Sequence, residues 1–442
     1  MEPPVERNAN ELQEWSACEI TAKILDGRLK VTPSNIRTCW GRVRQMRKEL
    51  RDRWILPDHE DWGLITDWLL ATLIARENVL LLGPPGVAKN EIATSAFELL
   101  GLKKPGVETS LTAKPMSLDA TDPYSWWKAR SDEQRPTAKY FHYQLNRFTQ
   151  IEELFGPVEI ALLRRGLLMR VNFGMITGPG VRGAFIDEIF KASGALLNSL
   201  LMLLNERAYF NWGGMQPADL ACTIAASNEL PGAFGGLGAT GGHVEDFHTL
   251  YALLDRLVIR LHVPLPSGTD AQANTGRVDC SKSSLGRATD LAIKREAHRF
   301  VTGVIFPAGP VSCINDILLL GRAMLQDLPE TPSDESIFEK DSADKLENTF
   351  LPLGAALKLG ATNLATGHIS WTISPRKLKA LFKVSRAYAL VTADDSFSDI
   401  EKNTRITITG RALRVFHHIW DSPLQCDALS SAVETQARTL WR

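Results

Sequence analysis

The sequence predicts an α/β domain, in which helices cover a parallel sheet, followed by an all-helical domain. Two observations support this prediction. Between residues 56 and 265, short apolar segments with the character of buried strands alternate with helical patterns, which is typical of parallel sheets. A polar connector rich in Gly and Ser then occupies 266–286, and the patterns over 287–422 are mostly helical.

Composition and charge exclude several classes of protein. Of the 442 residues, 44% are hydrophobic and 23% are charged, which excludes collagen-like, disordered and disulfide-scaffold chains. The 50 Lys and Arg balance 51 Asp and Glu, so no overall charge attracts nucleic acid or an anionic membrane. The six cysteines are too scattered to bind a structural zinc.

We expect a cytoplasmic protein with free thiols. No apolar run approaches the ~20 residues of a membrane span, and the first residues lack the layout of a secretory signal. A basic cluster with six Lys or Arg lies at 42–53. It is interpreted as a solvated helix face, and a nucleic-acid patch is the alternative.

The individual elements follow in chain order. Residues 1–55 are predicted to form a helical N-terminal extension, and 423–442 a C-terminal tail. A helix at 62–76 precedes a buried strand at 78–83. Further strands are predicted at 140–148, 183–186, 219–227 and 257–263, and further helices at 314–326, 343–358, 375–391 and 409–420.

The segment after the first strand has the composition of a phosphate-binding loop. It reads GPPGVAKN over 83–90 and precedes an apolar helix at 91–100. Such a turn can direct backbone N–H groups and a helix N-terminus at phosphates, while a lysine supplies a mobile charge. Against the consensus GxxxxGK[ST], Ala88 replaces a glycine and Asn90 replaces the hydroxyl residue. The alternative is an ordinary Pro-Gly turn that precedes Lys89.

Polar residues end two later strands. Asp187 and Glu188 follow the strand at 183–186, and Asn228 follows the strand that ends at 227. An acid at the tip of a strand beside a phosphate loop can orient the water around Mg²⁺, and a second carboxylate can polarise an attacking water. Asn228 is placed to help to hold that water.

Arginines occur in two further motifs. Arg256 and Arg260 lie in LLDRLVIR, and Arg376 lies in ISPRKLK, where Ser374 is a candidate N-cap and Pro375 the first helical residue. An arginine on that first turn can reach back toward a nucleotide. Each arginine taken alone is more often part of a surface salt bridge.

This order of motifs resembles an AAA+ ATPase with a P-loop, and more narrowly the MoxR family and its RavA type. The resemblance covers about 55–422 and rests on the strings GPPGVAK, FTQIEELFGPVEIALL, FIDEIFKASGALLNSLLMLLNERAYFNWG, AASNELP, LYALLDRLVIRL and ISPRKLKAL. That family favours Ala before the lysine but normally has Ser or Thr at the position of Asn90. The resemblance therefore implies weakened Mg²⁺ binding and weak turnover.

The resemblance implies a role for each matched residue. Asp187 would hold Mg²⁺ through water, with Asn90 as a second oxygen donor, and Glu188 would position the attacking water. Asn228 would be the first sensor, Arg376 the second, and Arg256 a finger that reaches the neighbouring subunit's ATP, with Arg260 a weaker candidate. The cradle for the ATP phosphates would be Gly83, Pro84, Pro85, Gly86, Val87, Ala88, Lys89 and Asn90.

The resemblance also implies partners. Family members usually form homo-hexameric rings, and they often act with a separate protein that has a von Willebrand A domain. Two inserts, at 156–178 and 207–218, are predicted to be hairpins, the second turning at Gly213-Gly214. In related rings such hairpins face the pore or a partner. The side chains that could make those contacts, or else pack within the hairpin, are Phe210, Trp212 and Met215.

Three functions remain open at this point. The first is a ring that couples ATP hydrolysis to remodelling or activation of a protein partner. The second is a nucleotide-gated scaffold with little hydrolysis, which Asn90 suggests. The third is a nucleic-acid translocase, against which the balanced charge argues.

Overall fold

The structure is a computed structural model, and it describes the chain in separate stretches. These are residues 44, 46–50, 65–103, 122–134, 139–228, 252–263, 338, 340–356, 358–363, 367–372, 374–393 and 408–419. Outside the described residues lie most of the 1–55 extension, the loop at 232–249, the connector at 266–286, the helix predicted at 314–326 and the tail at 423–442.

Five of the first seven strands form a parallel sheet. In chain order the strands are β1 (Asn78–Leu82), β2 (Lys139–Gln144), β3 (Val181–Asp187), β4 (Ala208–Asn211), β5 (Gly214–Pro217), β6 (Cys222–Ser227) and β7 (Leu257–His262). The order in the sheet is β2-β3-β6-β1-β7, with every neighbouring pair parallel. Strand β6 therefore lies between β1 and β3, and the carboxyl ends of all three meet at one edge.

Both faces of this sheet are covered, as predicted. In β1, Val79 and Leu81 belong to one buried cluster, whereas Leu80 and Leu82 belong to another. This division follows because successive side chains of a strand point to opposite faces. All of β1 is buried, so its apolar sequence NVLLL is that of a central strand packed on both sides.

Side chains of helices complete the two buried clusters on the faces of the sheet. They are α1 (Ile65–Ile74), α2 (Lys89–Leu99), α3 (Pro123–Gln134), α4 (Ile151–Phe155), α5 (Ile160–Leu163), α6 (Gly194–Glu206), α7 (Lys340–Ala356) and α8 (Pro375–Thr392), with 3-10 helices at Ile189–Lys191 and Gly410–His418. Helices α1, α2 and α8 pack on one face and α6 on the other. Among the described residues, no helix is both long and apolar enough to cross a membrane.

The C-terminal region packs against the first helix. Trp68 of α1 stacks on Tyr388 of α8 with ring centroids 3.8 Å apart. The prediction of an α/β domain followed by a helical region is confirmed, but the second region is not purely helical. Strands β8 (Lys358–Asn363) and β9 (Gly367–Thr372) form an antiparallel hairpin between α7 and α8. The glycines and Asn363 in these strands disfavour helix, and α7 ends before them, at Ala356.

The two inserts differ from their predicted form. The segment 156–178 contains the short helix α5 and a single antiparallel bridge between Val158 and Arg170, not a pair of strands. Strands β4 and β5 do form a hairpin, but its turn is Trp212-Gly213, where both residues have positive φ (55° and 69°). A two-residue turn with this backbone matches the twist of the two strands.

One residue of the basic cluster is used inside the fold. The Arg47 guanidinium donates to both carboxylate oxygens of Asp67 at 2.9 Å, and Asp67 is buried in α1. Paired in this way, Arg47 belongs to the packing of the described helical segment 46–50 onto the domain.

Candidate functional site

Three chain segments meet where β1, β6 and β3 end. They enclose a cavity of about 320 Å³ that combines backbone turns, one lysine, two carboxylates and two side-chain amides. The lining residues are Pro85, Gly86, Ala88, Lys89, Asn90, Asp187, Glu188 and Asn228. Because β6 separates β1 from β3, Asn228 lies between the loop and the two acids.

The loop at 83–90 depends on its glycines and on a left-handed residue before α2. A Cβ on Gly83 would lie 2.2 Å from the Val263 carbonyl oxygen, so only glycine fits there. Gly86 has φ +84°, and Ala88, the N-cap of α2, has φ 64°. No side chain caps this helix, and within the described chain the backbone N–H groups from Gly86 to Asn90 have no hydrogen-bond partner. Such a cradle suits an anion.

Lys89 lies at the start of α2 with its side chain drawn into the site. Lys89 is 7% exposed. Its Nζ donates to Gly83 O at 2.6 Å, to Pro84 O at 3.0 Å and to Asn228 Oδ1 at 2.7 Å. Burial lowers the pKa of Lys89, while the charges of Asp187 and Glu188 act in the opposite direction. The ammonium group is thus a partly desolvated cation, and it interacts electrostatically with both acids.

The two acids are held in different ways. Asp187 ends β3, and its Oδ1 accepts the Glu188 N–H at 2.9 Å. Glu188 has left-handed φ of 53°, a conformation that costs ~1–2 kcal/mol for a non-glycine residue. The Glu188 carboxylate accepts a short hydrogen bond from Asn228 Nδ2 and pairs with Lys191 Nζ at 3.2 Å. Strain of this kind is common at functional sites.

The oxygen donors of the cavity fit a magnesium ion that also contacts a ligand. Asp187 offers a carboxylate and Asn90, which is exposed, offers an amide oxygen. Among the described residues no group of three His, Cys, Asp or Glu forms a metal site. Mg²⁺ is usually bound by one or two carboxylates together with waters and phosphate oxygens, and Asp187 offers one such carboxylate.

The described residues that line this cavity do not include any of the three predicted arginines. Arg256 folds back so that its Nη1 donates to Ala252 O at 2.7 Å. Burial lowers the pKa of Arg256, and the nearby charge of Arg376 lowers it further. Arg260 is 6% exposed in β7 and donates to Ile419 O at 3.0 Å. Its guanidinium is used inside the chain, which disfavours Arg260 as a finger toward a neighbour.

The hairpin side chains named in the sequence have two different environments. Phe210 and Met215 are cross-strand partners and are both 48% exposed. Trp212 instead packs edge-on against Tyr124 and Trp127, with centroids 5.6 and 6.4 Å apart. Phe210 and Met215 are therefore the available contacts, and Trp212 anchors the hairpin.

Asp255 and Lys377, which had no predicted role, lie near Arg256 together with Ser374, the predicted N-cap. Asp255 accepts a hydrogen bond from the Ser374 hydroxyl, and Lys377 is 3% exposed beside them. In the sequence, Asp255 had no signal beyond its place before Arg256, whereas Ser374 was the predicted N-cap of α8, which the structure confirms. On the other side, Asn78 Nδ2 donates to Arg256 O at 3.0 Å.

Asn78 also belongs to a cluster around Arg207, where α6 ends. The Arg207 guanidinium donates to Asn78 Oδ1 at 2.7 Å, Thr223 Oγ1 at 3.0 Å and Arg76 O at 3.3 Å. Removal from water lowers the pKa of Arg207 to about 10. The base of the β4–β5 hairpin is thus fixed to the starts of β1 and β6.

The middle of the chain is similar to a known family. Residues 130–270, roughly a third of the chain, match the family described as the MoxR domain in the MoxR-vWA-beta-propeller ternary systems. Two uncharacterized proteins of Methanocaldococcus jannaschii are also similar. One is 29% identical over 191 residues, covering 43% of this chain and 39% of the relative. The other is 31% identical over 166 residues, covering 37% and 34%. The chain spans less than half the length of these relatives.

A solved structure is also similar to this chain. It is the crystal structure of a “putative ATPase” from Cytophaga hutchinsonii, 13% identical, which covers 92% of this chain and 96% of its own, with a TM-score of 0.48. A score of that size does not establish a common fold. The match with the MoxR domain covers the segment that carries Asp187, Glu188, Asn228 and Arg256, and this part of the chain is therefore similar to MoxR.

Proposed function

We propose that this chain is a MoxR-type AAA+ ATPase that binds ATP with Mg²⁺ in the cavity and hydrolyses it. The observation that supports this most is the position of Asn228, whose side chain accepts from Lys89 and donates to Glu188. A cation, a carboxylate and an amide are thereby held together beside a loop whose N–H groups have no partner in the described part of the chain. Phosphoryl transfer requires mainly such positioning and charge stabilisation.

Each residue has a defined task in this proposal. The loop N–H groups and Lys89 bind the phosphates, Lys89 contacting the β- and γ-phosphates. Asp187, through water, and Asn90 hold Mg²⁺, which neutralises charge on the phosphate oxygens when bound. Glu188 positions and polarises the attacking water. Asn228 keeps the Glu188 carboxylate and the Lys89 ammonium at a fixed separation.

The test measures binding and turnover separately. The parent should bind ATP with Mg²⁺ in a calorimetric titration and release phosphate. Glu188→Gln should bind comparably but release phosphate about 10²-fold or more slowly, because a positioned base contributes roughly that much. Glu347→Gln, an exposed site on α7, is the matched control. No binding by the parent, or equal rates in parent and Glu188→Gln, would refute the proposal.

We further propose a homo-oligomeric ring, hexameric as in the family, in which Arg256 reaches the neighbouring subunit's ATP and Arg376 that of its own subunit. The RavA type, a cytoplasmic setting and a separate von Willebrand A partner belong to the same proposal. It is supported by the matched family, whose description names MoxR together with vWA, and by the exposed Phe210 and Met215. Particle mass with and without a slowly hydrolysed ATP analogue tests the ring.

A nucleotide-gated scaffold is the second candidate. It is favoured by Asn90, which lines the cavity where the phosphate-loop consensus has a hydroxyl. In that case the ATP analogue would drive assembly while phosphate release by the parent stayed at the level of Glu188→Gln.

A further inference from the structure

Asp255 and Ser374 connect two segments that are far apart in the sequence. Asp255 belongs to the helical residues 252–256 that precede β7, and Ser374 is the N-cap of α8. The Ser374 hydroxyl lies 2.9 Å from Asp255 Oδ1 and 3.1 Å from Oδ2. The same hydroxyl oxygen accepts the Lys377 N–H at 3.1 Å. One serine therefore both starts α8 and ties it to the segment of Asp255.

The hydrogen bond between Asp255 and Ser374 joins the segments that carry Arg256 and Arg376. The proposed function assigns these two arginines to different ATP molecules. Arg256 follows Asp255 directly, and Arg376 is on the exposed first turn of α8. Their charges are close enough that Arg376 depresses the pKa of Arg256, next to the larger effect of burial, while Asp255 opposes that change. The Asp255 carboxylate thus offsets the repulsion between two like charges on separate elements.

The segment of Arg256 has its own attachment to the sheet. Asn78 Nδ2 donates to Arg256 O at 3.0 Å and to Leu204 O at 3.1 Å. Arg256 Nη1 bonds back to Ala252 O. The segment is therefore anchored without Ser374, and the bond between Asp255 and Ser374 adds a link to the C-terminal region.

We propose that Asp255 and Ser374 are positioning residues that couple α8, with Arg376, to the segment that carries Arg256. This rests on the proposed function, in which Arg376 contacts the subunit's own ATP and Arg256 contacts the ATP of the neighbour. ATP bound to one subunit would then change the position of the Arg256 side chain through the hydrogen bond between Asp255 and Ser374. Asp255 and Ser374 touch neither ATP nor the reacting atoms and act through the two arginines.

Hydrogen exchange of the full chain tests the coupling. Exchange is followed at 83–92 and at 252–256, with and without a slowly hydrolysed ATP analogue and Mg²⁺. In the parent, nucleotide should slow exchange in both segments. In Ser374→Ala and in Asp255→Ala, protection at 83–92 should persist, while protection at 252–256 should fall about fivefold or more, the range of ordinary coupling between sites.

Two controls separate coupling from helix capping. Ser374→Thr keeps the hydroxyl and should retain the protection at 252–256. Ser193→Ala removes the equivalent cap of α6, where the Ser193 hydroxyl accepts the Leu196 N–H at 3.4 Å, and should also leave it unchanged. In the double variant of Asp255→Ala and Ser374→Ala, the loss should equal that of one single variant.

The outcomes distinguish the two proposals. Protection at 83–92 without a change at 252–256 in the parent, or an unchanged response at 252–256 in both single variants, overturns the coupling and leaves ATP binding intact. No protection at 83–92 in the parent refutes the proposed function, and the coupling falls with it. Should Ser374→Ala fail to fold, Asp255→Ala compared with Ser374→Thr decides the matter.

Discussion

The side chain of Asn228 joins Lys89 to Glu188. Its Oδ1 accepts from the Lys89 ammonium at 2.7 Å, and its Nδ2 donates to the Glu188 carboxylate. The amide can do both because it has a donor at one end and an acceptor at the other. A carboxylate at position 228 would accept from Lys89 but repel Glu188, and an alkyl side chain would do neither.

Asn228→Ala should therefore lower turnover much more than ATP affinity. We expect a decrease in kcat of about 10²–10³, as for removal of one positioned donor in an active site. Steady-state phosphate release and calorimetric titration check the two quantities. Asn198→Ala, on the exposed surface of α6, is the control. A parent-like kcat in Asn228→Ala would contradict this role.

Asn90→Thr should raise turnover by about an order of magnitude, because a hydroxyl at this position of a phosphate loop binds Mg²⁺ directly. The Mg²⁺ concentration that gives half-maximal phosphate release should fall in the same variant. Asn90→Ala, which lacks any oxygen, is the control and should require more Mg²⁺ than the parent. If Asn90→Thr and the parent have the same rate, Asn90 does not limit turnover.

Gly83→Ala and Gly86→Ala should differ in their effect on stability. At Gly86 the added Cβ meets no atom within 4 Å, so only the left-handed backbone is disfavoured, by ~1–2 kcal/mol. At Gly83 the Cβ would lie 2.2 Å from Val263 O, so β1 and β7 must shift. Urea denaturation should show the larger loss for Gly83→Ala. Equal losses would show that the Gly83 contact relaxes at no cost.

Lys377→Met should stabilise the protein, most strongly at lower pH. Burial lowers the pKa of Lys377 well below 10.5, the charge of Arg260 lowers it further, and Asp255 opposes this. A lysine whose pKa is lower in the folded chain favours unfolding below that folded pKa, and this effect disappears as the pH rises toward 10.5.

The measurement is the difference in Tm between Lys377→Met and the parent as a function of pH. We expect the free energy of unfolding of Lys377→Met to exceed that of the parent by about 1–3 kcal/mol at neutral pH, as when buried charges are replaced by apolar groups. The rise in Tm that follows from it should be smaller in alkaline buffer. Lys379→Met, at an exposed position of α8, should show neither the gain in stability nor its dependence on pH. A gain in Lys377→Met that does not vary with pH would point to packing instead of charge.

The sequence predicted that Lys89, the two acids and Asn228 would lie close together, but not the contacts between them. Asp187 ends β3, Asn228 follows β6, and Lys89 lies after the loop that follows β1, and the ends of parallel strands share one edge. The contact of Asn228 with both Lys89 and Glu188 depends on β6 lying between β1 and β3. The spacing of the motifs along the chain does not reveal the order of the strands in the sheet.

The sequence was less informative about the arginines and the C-terminal region. Arg256 and Arg260 lie four residues apart in one motif, yet Arg260 is 6% exposed and donates to Ile419 O, which only the tertiary packing determines. The β8–β9 hairpin was predicted as part of a helical region because the helical patterns of α7 and α8 flank it on both sides.

The attachment of the β4–β5 hairpin has a mechanical consequence. Its first strand begins directly after Arg207, and the Ala218 N–H closes its base on Arg207 O at 2.7 Å. The Arg207 guanidinium bonds to Asn78 and Thr223, so the root of the hairpin is held to β1 and β6. We expect a force on Phe210 or Met215 to reach β1, the strand that leads into the loop at 83–90.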